Sequence, residues 1–118
     1  GKSKLALKKW IAGFDQTQNV LCLIRAQKVV CLEKGDPQEL IQIYQKFINP
    51  NQPKESYKYV LLLAILYLEH GQAENAKNIL EEYQTDNELL GSLLLAHAKQ
   101  PSSNGSNFDL IKEAVFAN

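Results

Sequence analysis

Apolar residues recur along this chain at the three- and four-residue spacing of a helix, and no stretch alternates at the two-residue period of a half-buried strand. The pattern predicts seven helices, which breaker-rich segments separate. We expect them over residues 2–14, 20–34, 38–48, 56–70, 73–83, 88–99 and 108–116. The sequence therefore predicts an all-α fold of about seven helices with no sheet.

Turn-forming residues mark the ends of these helices. Gly35 and Gly71 each follow an apolar helical run and are predicted to end it, and Asp36 is predicted to cap the helix that follows. Residues 85–87 predict a turn and a cap. A run of Pro, Ser, Asn and Gly at residues 101–107 predicts a polar loop.

The helices repeat with a period of 34 to 36 residues. Three sets of positions align at this period: Ala6, Leu40 and Ala76; Trp10, Tyr44 and Leu80; Gly13, Phe47 and Tyr83. The same period aligns Leu-Glu-Lys-Gly, which ends at Gly35, with Leu-Glu-His-Gly, which ends at Gly71. Agreement in several registers indicates stacked helix pairs, each of which buries its apolar face against the next.

Residues 57–90 resemble the tetratricopeptide repeat (TPR) family, in which antiparallel helix pairs of about 34 residues stack into a superhelix. Leu63 and Ala64 match the large–small pair of the family, and Ala76 matches its small close-packing position. Tyr83 departs from the pattern, as does Leu40 in the preceding unit. The resemblance implies one TPR-like α-solenoid domain with a half unit at 1–15, a degenerate repeat at 20–51, the best repeat at 56–87 and an irregular repeat at 88–118.

Two short segments narrow the resemblance to bacterial TPR proteins that an N-terminal helix anchors in a membrane, such as the lipopolysaccharide assembly protein B group. They are the Ala-x-x-x-Trp that ends at Trp10 and the Leu-Ile-x-x-Tyr-Gln-Lys-Phe that ends at Phe47. The chain lacks Met, even at position 1, which indicates a processed or excised piece of a longer protein. The resemblance implies a parent protein anchored outside these residues, and a cytoplasmic location or one at the cytoplasmic face of a membrane.

The cysteines also bear on the compartment. Cys22 and Cys31 lie nine residues apart on one predicted helix, so their thiols face opposite sides and lie beyond disulfide reach. Two unpaired thiols favour a reducing compartment.

Charge divides unevenly along a chain whose formal net charge is zero, with 13 basic and 13 acidic residues. Residues 1–34 hold seven basic against two acidic residues, whereas residues 69–88 hold six acidic against one basic. These runs are either ordinary solvated helix faces or a polarity that steers a partner. Because nucleic-acid binders are normally basic, we expect no nucleic-acid partner.

The sequence offers no constellation for catalysis. His70 and His97 are 27 residues apart, and no His, Cys, Asp or Glu pair has metal-ligand spacing. We expect His70 to cap carbonyls at its helix end and His97 to lie partly buried. No glycine-rich phosphate loop or nucleophile motif occurs. We therefore predict no enzyme activity, no metal, no cofactor and no small-molecule substrate.

The TPR resemblance implies a ligand face on the first helix of each unit. In the best repeat this face comprises Lys58, Leu61, Ile65, Leu68 and Glu69. In the preceding unit it comprises Cys22, Arg25, Val29, Leu32 and Glu33. The stripe Leu61, Ile65 and Leu68 is either an open groove for an amphipathic helix or an apolar peptide, or it is covered by the helix pair at 88–116.

Taken together, these patterns predict a non-catalytic helical-repeat scaffold that binds a protein or peptide. The alternative is a structural or oligomerisation module that packs against the rest of its own chain or a second copy. A helical RNA-binding repeat and an enzyme rank behind both, because the overall basic surface of the first and the catalytic residues of the second are missing from the sequence.

Overall fold

The computed structural model describes residues 2–83, 89–100 and 105–117, which form seven α-helices and no strand. They are α1 (Lys2–Thr17), α2 (Val20–Leu32), α3 (Gln38–Phe47), α4 (Pro53–Glu69), α5 (Ala73–Glu82), α6 (Leu89–Lys99) and α7 (Gly105–Ala117). The all-α prediction is confirmed. The loop predicted at 101–107 is wrong from Gly105 onward, because α7 begins there; its first four residues and the turn predicted at 85–87 lie outside the described residues.

Backbone contacts divide the chain into two compact units, Gly1–Ile43 and Tyr44–Asn118, with the boundary inside α3. In the first unit, α1 packs against α2. The buried side chains of these helices include Phe14, Leu23, Ile24, Ala26 and Val30. Phe14 belongs to α1, and the other four recur at helical spacing on α2. The two helices therefore pack through their apolar faces.

A tight connection joins α1 to α2. Gln18 has a φ of 58° and reverses the chain, while the Asn19 side chain accepts a hydrogen bond of 3.0 Å from the Leu21 amide. The Thr17 hydroxyl donates to the Gly13 carbonyl at 2.7 Å. Side chains next to the turn thus pair with a backbone carbonyl at the end of α1 and a backbone amide at the start of α2.

In the second unit, α4 is the central helix and packs against α5, α6 and α7. Its residues from Val60 to Leu66 are all buried, as are Ser56 and Tyr57. Gly91 of α6 lies so close to α4 that a Cβ there would collide with the Tyr57 hydroxyl. Ala76 of α5 is fully buried, as the close-packing position of the repeat predicts. Small residues on α5 and α6 therefore accompany the close packing around α4.

The Ser56 hydroxyl ties the loop before α4 to the first turn of that helix. The buried Ser56 side chain accepts a hydrogen bond from the Asn49 amide at 2.7 Å and donates to the Asn49 carbonyl at 3.1 Å. The Tyr59 ring, one turn further on, stacks on Phe47 with ring centroids 5.3 Å apart. These contacts tie the end of α3 and the loop after it to the start of α4.

Helices α2 and α4 end in the same motif, but one residue out of register. After α4, Gly71 adopts a left-handed φ of 71° and the Gln72 amide donates to the Tyr67 carbonyl. After α2, the left-handed residue is Lys34, with a φ of 51°, and the Gly35 amide donates to the Val30 carbonyl. The prediction that Gly35 is the equivalent of Gly71 is therefore wrong by one position. Helix α2 ends two residues, and α4 one residue, before the predicted end.

This difference predicts opposite effects for a matched pair of substitutions. Lys34→Gly removes the steric cost of a left-handed side chain and should raise the free energy of unfolding by up to about 1 kcal/mol. Gly71→Ala introduces that cost and should lower it by about 1 kcal/mol; a Cβ at Gly71 would touch nothing within 4 Å, so packing adds no term. Urea denaturation measures both. If both substitutions raise, or both lower, the free energy of unfolding, the assignment of Lys34 and Gly71 as the left-handed residues is wrong.

Candidate functional site

The face of α4 predicted to bind a ligand is covered. Leu61 is 7% exposed and Ile65 is 0% exposed, while Lys58, Leu68 and Glu69 are half-buried. Helices α6 and α7 pack against α4, so the covered alternative holds and the open groove is wrong. The physical reason is that α4 is apolar on nearly every side, and a single-helix pattern cannot say which side its neighbours take.

Glu69, the last residue of the predicted ligand face on α4, has an internal partner. Its carboxylate is hydrogen-bonded to the Lys112 ammonium of α7, which also lies 3.3 Å from Asp109. The ammonium stands over the Phe108 ring. The same ring stacks parallel to His97, with 4.6 Å between the ring centroids. This cluster joins the end of α4 to α6 and α7, and it is the contact that covers the charged end of the stripe.

The charge balance of this cluster favours the protonated lysine. Burial alone lowers the pKa of Lys112, but its hydrogen bond and attraction to Glu69, together with those to Asp109, outweigh it, so that the pKa lies above its ordinary value. The cluster thus contains an ion pair that links α7 to the end of α4. Residues 43 apart in sequence form it, which no local pattern could indicate.

The predicted residues of α2 remain accessible. The Arg25 guanidinium is exposed and stands 5.1 Å from the centre of the Trp10 ring of α1. Val29, one turn further along α2, is half-buried and lines an open groove of about 500 Å³. Of the two predicted ligand faces, the one that the sequence matches less well is the one that the structure leaves open.

We call this feature the α1–α2 groove and define it by its lining. Its side chains are Lys4, Leu7 and Lys8 from α1, Val29, Val30 and Glu33 from α2, and Asp36 and Glu39 beyond the turn, with Gly35 between them. The apolar side chains are Leu7, Val29 and Val30. The lining charges are basic on α1 and acidic on α2 and the segment that follows it.

Local structure explains how these acidic residues come to one place. The left-handed turn at Lys34 reverses the chain directly after α2, which carries Glu33 at its end. The Asp36 carboxylate then accepts a hydrogen bond of 3.0 Å from the Gln38 amide, as the predicted cap of α3, and Glu39 lies in the first turn of that helix.

The charges on the groove are exposed and do not neutralise each other. In the part of the chain that the structure describes, Lys4, Lys8, Glu33 and Glu39 form no ion pair. Opposite charges that line one groove without contact leave room for a ligand between them.

The remaining candidates are structural. His70 Nδ1 lies 3.0 Å from the Leu66 carbonyl and caps α4 as predicted, and His97 is half-buried as predicted. Cys22 and Cys31 are not joined by a disulfide. Within residues 2–83, 89–100 and 105–117, no group of three His, Cys, Asp or Glu side chains could hold a metal ion. No helix among them has the length and apolar character needed to span a bilayer.

Comparison of the chain with protein-family models, with curated proteins and with solved structures finds no match. The resemblance to the TPR family therefore rests on the residues quoted above.

The covered stripe predicts a stability effect rather than a binding effect. Ile65→Asp buries an unpaired carboxylate among α4 and its neighbours and should lower the free energy of unfolding by at least about 3 kcal/mol. Leu89→Asp is the matched control in the same unit, because Leu89 is 71% exposed; it should change stability by no more than about 0.5 kcal/mol. Thermal denaturation compares them. A melting temperature for Ile65→Asp equal to that of the control would contradict the burial.

Proposed function

We propose that this chain is a non-catalytic helical module that binds a protein or peptide partner, and that the α1–α2 groove receives it. The observation that carries the proposal is an open groove that combines apolar side chains with charges of both signs, of which Lys4, Lys8, Glu33 and Glu39 form no ion pair within the described residues. Absence of a catalytic motif from the sequence supports a binding rather than an enzymatic role.

The chemistry of the groove suggests what a partner segment carries. Leu7 and Val29, which are half-buried, offer a surface for one or more apolar side chains, and the buried Val30 lies beside them in the lining. An acidic residue on one edge of the segment would meet Lys4 and Lys8. A basic residue on the other edge would meet the acidic wall of the groove, which is Glu33, Asp36 and Glu39. Such a pairing of charges sets direction and speeds association, while the apolar contact supplies most of the affinity.

A polypeptide fits this groove better than the other ligand classes. The formal net charge of zero and the acidic wall both oppose a nucleic-acid backbone. An amphipathic helix presents an apolar stripe with different charges on its two edges, which is the complement of this lining. The TPR resemblance adds the expectation of peptide binding, and with it the proposals of a membrane-anchored parent protein and a location at the cytoplasmic face.

A peptide-display selection against the whole chain tests the proposal. Selected peptides should share an apolar stripe with an acidic and a basic edge. Their affinity should fall about tenfold or more with Val29→Asp. The double change Glu33→Lys and Glu39→Lys should weaken binding as much; both of its sites are exposed, so folding stays intact.

Leu32→Asp is the matched control, because Leu32 is 83% exposed on the same helix yet does not line the groove. It should bind the selected peptides as the unaltered chain does. Peptides without shared charge edges, or peptides that bind all the variants equally, would overturn the groove as the site.

A further inference from the structure

The first and last helices carry one exposed pattern with opposite charges. Leu5 of α1 is 63% exposed and Leu110 of α7 is 71% exposed, and the two lie about three repeat periods apart. Each is followed by an exposed alanine seven residues on, Ala12 and Ala117. An isolated exposed leucine is ordinary, but here two helices each present an exposed leucine and an exposed alanine at the same spacing, on one side of the helix.

The charges at matching positions of these faces are complementary. In α1, Lys4 precedes the leucine and Lys8 follows it by three residues; in α7, Asp109 and Glu113 occupy those two places. All four side chains are exposed. We call the two surfaces the α1 face, which is Lys4, Leu5, Lys8 and Ala12, and the α7 face, which is Asp109, Leu110, Glu113 and Ala117.

We propose that the α1 face of one copy of this chain docks on the α7 face of a second copy. The two exposed leucines bury each other, and each lysine of one face lies beside an acidic residue of the other, whether the helices run parallel or antiparallel. Asp109 also contacts Lys112 at 3.3 Å, but its side chain is 72% exposed and accepts a second cation. Charge complementarity selects the second copy, because neither face complements itself.

This interface is heterologous, which determines how assembly grows. One copy uses its α1 face and the other its α7 face, so each pair leaves one face of each kind unoccupied. Association therefore continues into chains of copies unless the same contact forms a second time within the pair and closes it. Screening weakens the charge pairs, because the Debye length falls to about 3 Å at 1 M salt.

The inference goes beyond the proposed function. The two proposals share Lys4 and Lys8, but the residues changed in their tests differ. Leu5 and Leu110 do not line the α1–α2 groove, whereas Val29 and Glu33 do not belong to either face. A failed peptide selection would leave this assembly intact, and a monomeric chain would leave the groove intact.

Sedimentation velocity and multi-angle light scattering over a wide concentration range test the proposal with the whole chain. The average mass should rise above that of the single chain with concentration and fall with added salt. Leu5→Asp and Leu110→Asp each place a carboxylate in the contact at an exposed site and should weaken self-association about tenfold or more. Leu32→Asp is the control, because Leu32 is 83% exposed and lies outside both faces; this variant should assemble as the unaltered chain does.

A mixture supplies the sharpest outcome. The Leu5→Asp variant keeps its α7 face and the Leu110→Asp variant keeps its α1 face, so equal amounts of the two should form a one-to-one dimer that grows no further. A monomeric unaltered chain at every concentration, self-association that survives either single change, or a mixture that stays monomeric would each overturn the proposal.

Discussion

The burial of α4 on all sides is the constraint on which the second unit depends. Seven consecutive residues from Val60 to Leu66 are buried, and consecutive residues of a helix point in every direction around its axis. Such a helix is stable in water only if other helices surround it. Helices α5, α6 and α7 all pack against it. Gly91 lets α6 approach Tyr57, and the Lys112–Glu69 ion pair secures α7.

The same constraint decides which surfaces remain for a partner. Apolar side chains that α4 uses for packing cannot also bind a ligand, so the apolar stripe through Leu61 and Ile65 belongs to the core. In the first unit, by contrast, Val29 stays half-buried in a groove with unpaired charges. The proposed binding site and the proposed self-assembly faces both use positions that the cores of the two units leave uncovered.

Local signals in the sequence were enough to locate the helices. Periodicity placed all seven, Asp36 was recognised as a cap, and Ala76 as a buried small residue. The start of α7 was missed, because Gly105 and Ser106 precede the apolar residues that mark that helix. The αL position at Lys34 was missed as well, because glycine is the usual residue there and Gly35 stands next to it.

Tertiary relations were predicted less well, for a physical reason. A helix that is apolar all round has no preferred face, so the covering of Ile65 depends on residues that are distant in sequence. The partner of Glu69 is 43 residues away, and nothing near either residue identifies the pair. The α1–α2 groove likewise depends on how the end of α2 and the start of α3 meet α1, which no motif specifies.

Native-state hydrogen exchange tests the central claim, that α4 is the surrounded core helix of the second unit, most directly. If it is, the amides of residues 60–66 exchange only through global unfolding and are the slowest between residues 44 and 117, whereas those of α7 open at lower free energy. Exchange of residues 60–66 as fast as that of α7 would show that α4 is accessible, and would contradict both the buried stripe and the assignment of binding to other surfaces.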